Sequence, residues 1–203
     1  MSDLTGQQVL FRIASLLLIL ATHGYAIALL ARLMGDPGPG YDGRRTFNPL
    51  QHLEPIGALA MILFRVGWLK PMAIDPALLR GGRWGLFVIV FGSLAVTLAI
   101  AELLWLIRPW LLTTFSGTSA VQTLVLMSEN AARLSVVFVV VNLIPLPPLT
   151  AGLLLRGFAP RLHVGLTART LLPAFAFGVV LFAADRADIL DPATRAISDL
   201  FLR

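Results

Sequence analysis

Residues 9–31 read VLFRIASLLLILATHGYAIALLA, a 23-residue run broken only by Arg12 near its start and His23 late in it. As a helix rising about 1.5 Å per residue, the run can cross a hydrocarbon core of about 30 Å. It does not read as a cleaved leader, because Asp3 offsets Arg12 ahead of it and the apolar stretch is long. The rest of the chain has the same character. Of its 203 residues, 57% are hydrophobic and 13% charged, against roughly 25% charged in a soluble domain. A soluble fold of this length could not hide that much apolar surface, so a polytopic, all-α integral membrane protein is expected. Cysteine is absent, which excludes disulfides, thiolate-held zinc, iron–sulfur clusters and cysteine nucleophiles. A net charge of +5 would suggest nucleic acid in a soluble protein. In a membrane chain it reflects arginines gathered on the cytoplasmic side, and no nucleic-acid partner is expected.

Three further stretches are apolar enough to span. Residues 84–107 form the second, with Glu102 close to its end. The third covers about residues 134–149 and is entered by a shorter apolar piece at 121–127. The fourth, residues 170–184, is short but adequate if its flanks snorkel. Residues 55–67 are ambiguous, because 13 residues make only about 20 Å of helix and Arg65 lies inside them. Charge sorting arbitrates. If the segment crosses, basic residues divide almost evenly between the two sides. If it dips in and returns, Arg32, Arg44, Arg45, Arg65, Lys70, Arg80, Arg83, Arg156, Arg161 and Arg169 share one side. Mainly Arg108, Arg186, Arg195 and Arg203 are left on the other. The second arrangement carries the bias, so the expectation is about four transmembrane helices plus a re-entrant element. Both termini then lie outside the cytoplasm, with the inner membrane of a bacterium as the expected location. In the tail, Asp191 as N-cap and Pro192 at the first helical position start a short helix with Ala193, Ile197, Leu200 and Phe201 on one face. It either lies on the membrane surface or packs on the spans.

Ionisable and polar groups inside spans each need a reason. His23 is a candidate ligand, but the position four residues on, where a helix presents a second ligand, holds Ile27. The commoner role for a lone helical histidine is a hydrogen-bonded packing residue. Asn142 precedes Pro145-Leu146-Pro147-Pro148, a cluster that must break the third span and leave backbone groups for Asn142 to satisfy. Glu102 is either an ion-pathway carboxylate or, being near a span end, a snorkelling one.

Several strings, in order, resemble intramembrane zinc metalloproteases of the site-2 protease family. His23-Gly24-Tyr25-Ala26-Ile27-Ala28 followed by Arg32-Leu33-Met34-Gly35-Asp36-Pro37 resembles the family's opening. The stretch from Gly43 through Asn48-Pro49-Leu50-Gln51-His52-Leu53-Glu54-Pro55-Ile56-Gly57 is similar to G-R-L-T-L-N-P-x-x-H-x-D-P-x-G. Gly67-Trp68-Leu69-Lys70-Pro71 and the residues to Pro76 are similar to G-W-A-K-P-V-P-V-N-P. Asn142-Leu143-Ile144-Pro145-Leu146-Pro147-Pro148-Leu149-Thr150-Ala151-Gly152 resembles N-L-L-P-I-P-P-L-D-G-G. The likeness covers about residues 10–155, a site-2 protease-like membrane core. Residues 156–203 carry no family signature: a basic loop, the last span and the tail.

The catalytic positions depart from the pattern. An active member needs H-E-x-x-H, two histidines for zinc and a glutamate as general base, with a third ligand from the aspartate of L-D-G. The resemblance maps these onto His23, Gly24, Ile27 and Thr150, so only the first histidine is kept. One imidazole and one hydroxyl do not replace three zinc ligands, and neither metal nor other cofactor is expected. The framing residues persist: Asn48, Pro49, His52, Glu54, Trp68, Lys70, Asn142, Pro145, Pro147 and Pro148. In the family these elements form the groove and extended strand that receive a substrate helix. The resemblance therefore implies a non-enzymatic pseudoprotease that holds a transmembrane segment of a partner, as adaptor, regulator or accessory subunit of a membrane complex. The competing reading is a divergent protease with a metal site rebuilt from His23 with His52 or Glu54. A transporter or channel would need more polar lining and an internal repeat. Arg156, Arg161 and Arg169 form a basic cluster whose modest reading is contact with anionic lipid.

Overall fold

A computed structural model describes residues 5–115 and 118–167, with Gly178, Arg195, Ala196, Asp199 and Leu200 beyond them. Seven helices are formed among the described residues, with no strand: α1 (Gly6–Met34), α2 (Gly38–Tyr41), α3 (Pro55–Phe64), α4 (Gly85–Thr114), α5 (Ser119–Asn142), α6 (Leu154–Phe158) and α7 (Pro160–Thr167). Three of them, α1, α4 and α5, are long and apolar enough to cross a membrane. That makes the chain a polytopic membrane protein, as its composition predicts.

Each long helix packs on the other two. The Thr5 side chain caps α1 by accepting from the Gln8 N–H. Gly35 ends it at φ 114°, in the left-handed region that favours glycine. Between them Leu16, Ile19, Leu20, His23, Ile27 and Ala31 recur every three or four residues and are buried. They meet Leu86, Ile89 and Leu94 of α4 and Leu134, Phe138 and Val139 of α5 in one core.

The segment after α2 goes out and comes back within the fold. Asn48 caps the 3₁₀ turn Pro49–Gln51, and Glu54 caps α3 by accepting from the Gly57 N–H. In both cases proline occupies the first turn, where its missing N–H costs nothing. The 10 residues of α3 span about 15 Å, half a bilayer core. Arg65 then turns the chain at φ 63°, and residues 66–75 run back without regular secondary structure. The Lys70 N–H donates to the His52 carbonyl at 2.9 Å, so the chain leaves beside the point where it entered. Close packing of the two arms depends on Gly57 and Gly67, where a Cβ would run into the facing backbone.

Among the described residues no strand partners the returning arm, and besides the Lys70 N–H bond, side chains from several elements satisfy backbone groups of α3 and the arm. Arg12 of α1 donates to the Ile62 and Leu63 carbonyls at the end of α3. The Asn142 amide donates to the Gly67 carbonyl at 3.1 Å. Arg44 donates to the carbonyls of Lys70 and Pro71, at 3.0 and 3.2 Å. Arg156 donates to the Met72 carbonyl at 3.2 Å, and Asp36 accepts from the Asp75 N–H at 2.9 Å.

Two span boundaries differ from the sequence reading. The third span is one continuous helix from Ser119 to Asn142, not residues 134–149 with a separate entry piece. Glu129, Asn130 and Arg133 lie between the two apolar pieces. They are absorbed by partners: Glu129 pairs with Arg133 at 2.9 Å and with Arg108 at 3.4 Å, and Asn130 donates to Ser15 at 2.9 Å. The helix stops at Asn142 because Pro145 follows. The second span runs past Ile107 to Thr114 in spite of Pro109. That proline cannot donate to the Trp105 carbonyl, and the Arg108 side chain does so instead at 3.1 Å. Glu102 is therefore well inside α4 and not at its end; its Oε2 is buried with no partner among the described residues. The expected fourth span at 170–184 and the tail helix from Asp191 fall almost entirely outside the described residues.

Candidate functional site

His23 is completely buried at the centre of α1. Its Nδ1 lies 2.8 Å from the Thr97 hydroxyl and 3.2 Å from the Ser93 carbonyl, both on α4. Its Nε2 lies 3.0 Å from the Thr150 hydroxyl, in the 3₁₀ turn Thr150–Leu153. Asn142 Oδ1 accepts from both the backbone N–H and the hydroxyl of Thr150, each at 3.0 Å. The Asn142 amide in turn donates to the Phe138 carbonyl at 2.9 Å and to the Gly67 carbonyl at 3.1 Å. With the proton on Nε2, the ring donates to Thr150 and accepts from Thr97. With it on Nδ1, the ring donates into α4 and accepts from the Thr150 hydroxyl, whose single proton then leaves Asn142 Oδ1 with the Thr150 backbone N–H alone. Both nitrogens are engaged in either tautomer. Phe138 closes the site edge-on, 5.0 Å between ring centroids.

Gly24 is explained by His52. A Cβ added at residue 24 would overlap the imidazole of His52, which fills the space beside α1. His52 is itself completely buried and donates from Nε2 to the Thr46 carbonyl at 2.9 Å. Burial pushes its pKa below the ordinary value; the Thr46 carbonyl opposes that shift and the Arg44 charge adds to it. Neutral His52 with its proton on Nε2 turns a bare Nδ1 toward Gly24, and that atom has no hydrogen-bond partner among the described residues.

Ile27 lies one turn below His23 and lines a cavity of about 340 Å³. The cavity runs between the returning arm at Leu69–Ala73 and the Pro147–Leu153 turn, with Lys70, Arg156 and His163 in its walls. Of the framing residues, Lys70, Pro147 and Pro148 line this space. Trp68 is buried against Gly57, and Asn48, Glu54 and Asn142 hold turns and backbone. Pro49 opens a 3₁₀ turn, and Pro145 follows the end of α5 without lining the cavity. So Thr150 and Asn142 converge on His23, while Gly24 serves His52 and Ile27 faces the cavity.

Sequence reading missed Thr97 and Ser93 as partners of His23. Both stand on α4 four residues apart, so they share one face. A polar pair at that spacing inside an apolar span was the available signal. Arg12, Arg44 and Arg156 were also read as charges in loops or spans, without their backbone acceptors.

The donor set does not fit zinc. A tetrahedral site needs three or four imidazole, thiolate or carboxylate ligands around one point. Here His23 meets a hydroxyl at Thr150 and no donor at Gly24 or Ile27. Among the described residues no group of three or more histidine, aspartate or glutamate side chains is placed to hold a metal.

Compared with known proteins, the chain is 23% identical over 180 residues to a Bacillus subtilis (strain 168) protein named "Putative zinc metalloprotease YwhC". The match covers 85% of this chain and 78% of that protein. No family model matches the sequence, and no solved structure matches it.

Proposed function

We propose that this polytopic membrane protein is a catalytically degenerate relative of the intramembrane metalloproteases. In this reading it binds a transmembrane segment of a partner as an adaptor, regulator or accessory subunit. The observation that carries the reading is the state of the four mapped positions. One imidazole remains, and both of its nitrogens are committed to Thr97 or Ser93 and to Thr150. The place of a glutamate side chain is taken by the His52 ring. In the family's mechanism a metal and a general base activate the attacking water, and the residues at these positions supply neither a ligand set nor a base. What the chain retains is the return arm and the Pro147–Leu153 turn, the elements that in the family frame the place of a substrate segment. Placement in the inner membrane of a bacterium, with termini outside the cytoplasm, belongs to the same proposal.

The name of the Bacillus relative favours the competing reading, a divergent zinc protease. One experiment separates them. The protein is extracted in mild detergent, its zinc measured by elemental analysis, and its co-purifying proteins identified. A metal-free preparation with a defined membrane partner is expected. Stoichiometric zinc that disappears in His23→Ala, together with chelator-sensitive cleavage of a transmembrane substrate, would overturn the proposal.

A further inference from the structure

We propose that the cavity beside Thr150 binds one anionic phospholipid, its first acyl carbons inside and its phosphate at the mouth. The inner wall is apolar, formed by Ile27, Met72, Leu149 and Leu153. Lys70 and Arg156 also line the space, and no carboxylate does so among the described residues. Among the described residues neither cation is ion-paired: the salt bridges formed there involve Arg108 and Arg133. Lys70 is exposed, and Arg156 is held in place by one N–H on the Met72 carbonyl, which leaves further guanidinium donors. His163 adds a buried Nδ1 with no partner among the described residues. An apolar pocket of this size with a few convergent donors is a ligand site by its chemistry.

The level of the mouth points to lipid and not to a soluble anion. Arg156 belongs to α6, whose Phe158 packs edge-on against Trp84 and Phe87 at 5.1 and 5.4 Å. The Arg83 guanidinium sits 5.2 Å from the Phe158 ring, and Trp84 is 62% exposed. Exposed tryptophan with clustered arginine is the signature of the headgroup layer. The next helix, α7, exposes Leu162 and Val164 in the same region. An amphiphile in that layer meets cations and an apolar slot together, which a free phosphate would use only in part. The site stands whether the chain cleaves a partner or only holds it.

The test uses the full-length protein in neutral detergent, given phosphatidylglycerol or phosphatidylcholine of identical chains, with bound lipid read by native mass spectrometry. One phosphatidylglycerol should be retained about tenfold in preference. Lys70→Gln and Arg156→Gln should each lower its affinity about fivefold, while Arg45→Gln, a cation off the cavity, should not. Ala73→Trp, on the cavity wall, should weaken both lipids by filling the slot. Equal retention of the two lipids, or an unchanged preference in Lys70→Gln, would overturn the proposal. Because Lys70 is exposed, that variant reads the site even if Arg156→Gln fails to fold. Displacement of the lipid by inorganic or glycerol phosphate at equal concentration would assign the site to a soluble anion. Displacement by a peptide with a free C-terminal carboxylate would assign it to protein, and either result refutes the lipid.

Discussion

Gly24 and His52 share one small volume, and their relation is the most direct thing to perturb. A methyl group at residue 24 has nowhere to go unless the buried imidazole moves, and overpacking of this kind costs about 1–3 kcal/mol. Gly24→Ala should therefore lower the thermal midpoint in detergent, and the loss should shrink sharply in a His52→Ala background. A double-mutant cycle measures it; additive losses would mean that the two residues are not in contact. The same overlap bears on placing a glutamate at this position. Gly24→Glu by itself puts a longer side chain into an occupied space. His23 itself was legible in the sequence as a polar residue needing a partner. Which partners it found was not, since Thr97 and Thr150 are 74 and 127 residues away in the chain.

At the scale of elements, the out-and-back segment depends on side chains that belong to other elements. Arg12 shows this most clearly. In the sequence it is an interruption of the first span, yet it serves as the cap of α3. A cation there also meets the negative end of the helix dipole. Arg12→Met should expose two carbonyls at membrane depth and cost about 2–3 kcal/mol, read as a lower unfolding midpoint with α1 still helical by circular dichroism. An unchanged midpoint would show that water or lipid satisfies those groups instead. The ends of α4 and α5 were misread for the same physical reason. Local rules say that Pro109 stops a helix and that Glu129 and Arg133 interrupt a span. Arg108 reverses both, donating to the carbonyl that proline abandons and pairing with Glu129.

For the molecule as a whole, the consequence is topological. The chain has no cysteine, so a single introduced thiol reports its side without a background. Arg45→Cys and Leu78→Cys flank the dipping segment at exposed positions. In sealed inverted and right-side-out vesicles, both should react with an impermeant maleimide from the same side. Reaction from opposite sides would mean that residues 55–67 cross. Hydropathy and charge, summed along the chain, were enough to read a polytopic helical protein and to favour the re-entrant path. Both are properties of many residues together and tolerate local errors. The sequence by itself also determined that a three-ligand zinc site is missing at the mapped positions, because ligand chemistry is a matter of residue type. Only the tertiary structure decided what stands there instead: a histidine held by two threonines, a second imidazole in the empty space beside glycine, and a cavity edged by Lys70 and Arg156. Those outcomes rest on contacts between residues distant in the chain, whose geometry is set by how three long helices and one returning arm pack, and no local pattern encodes it.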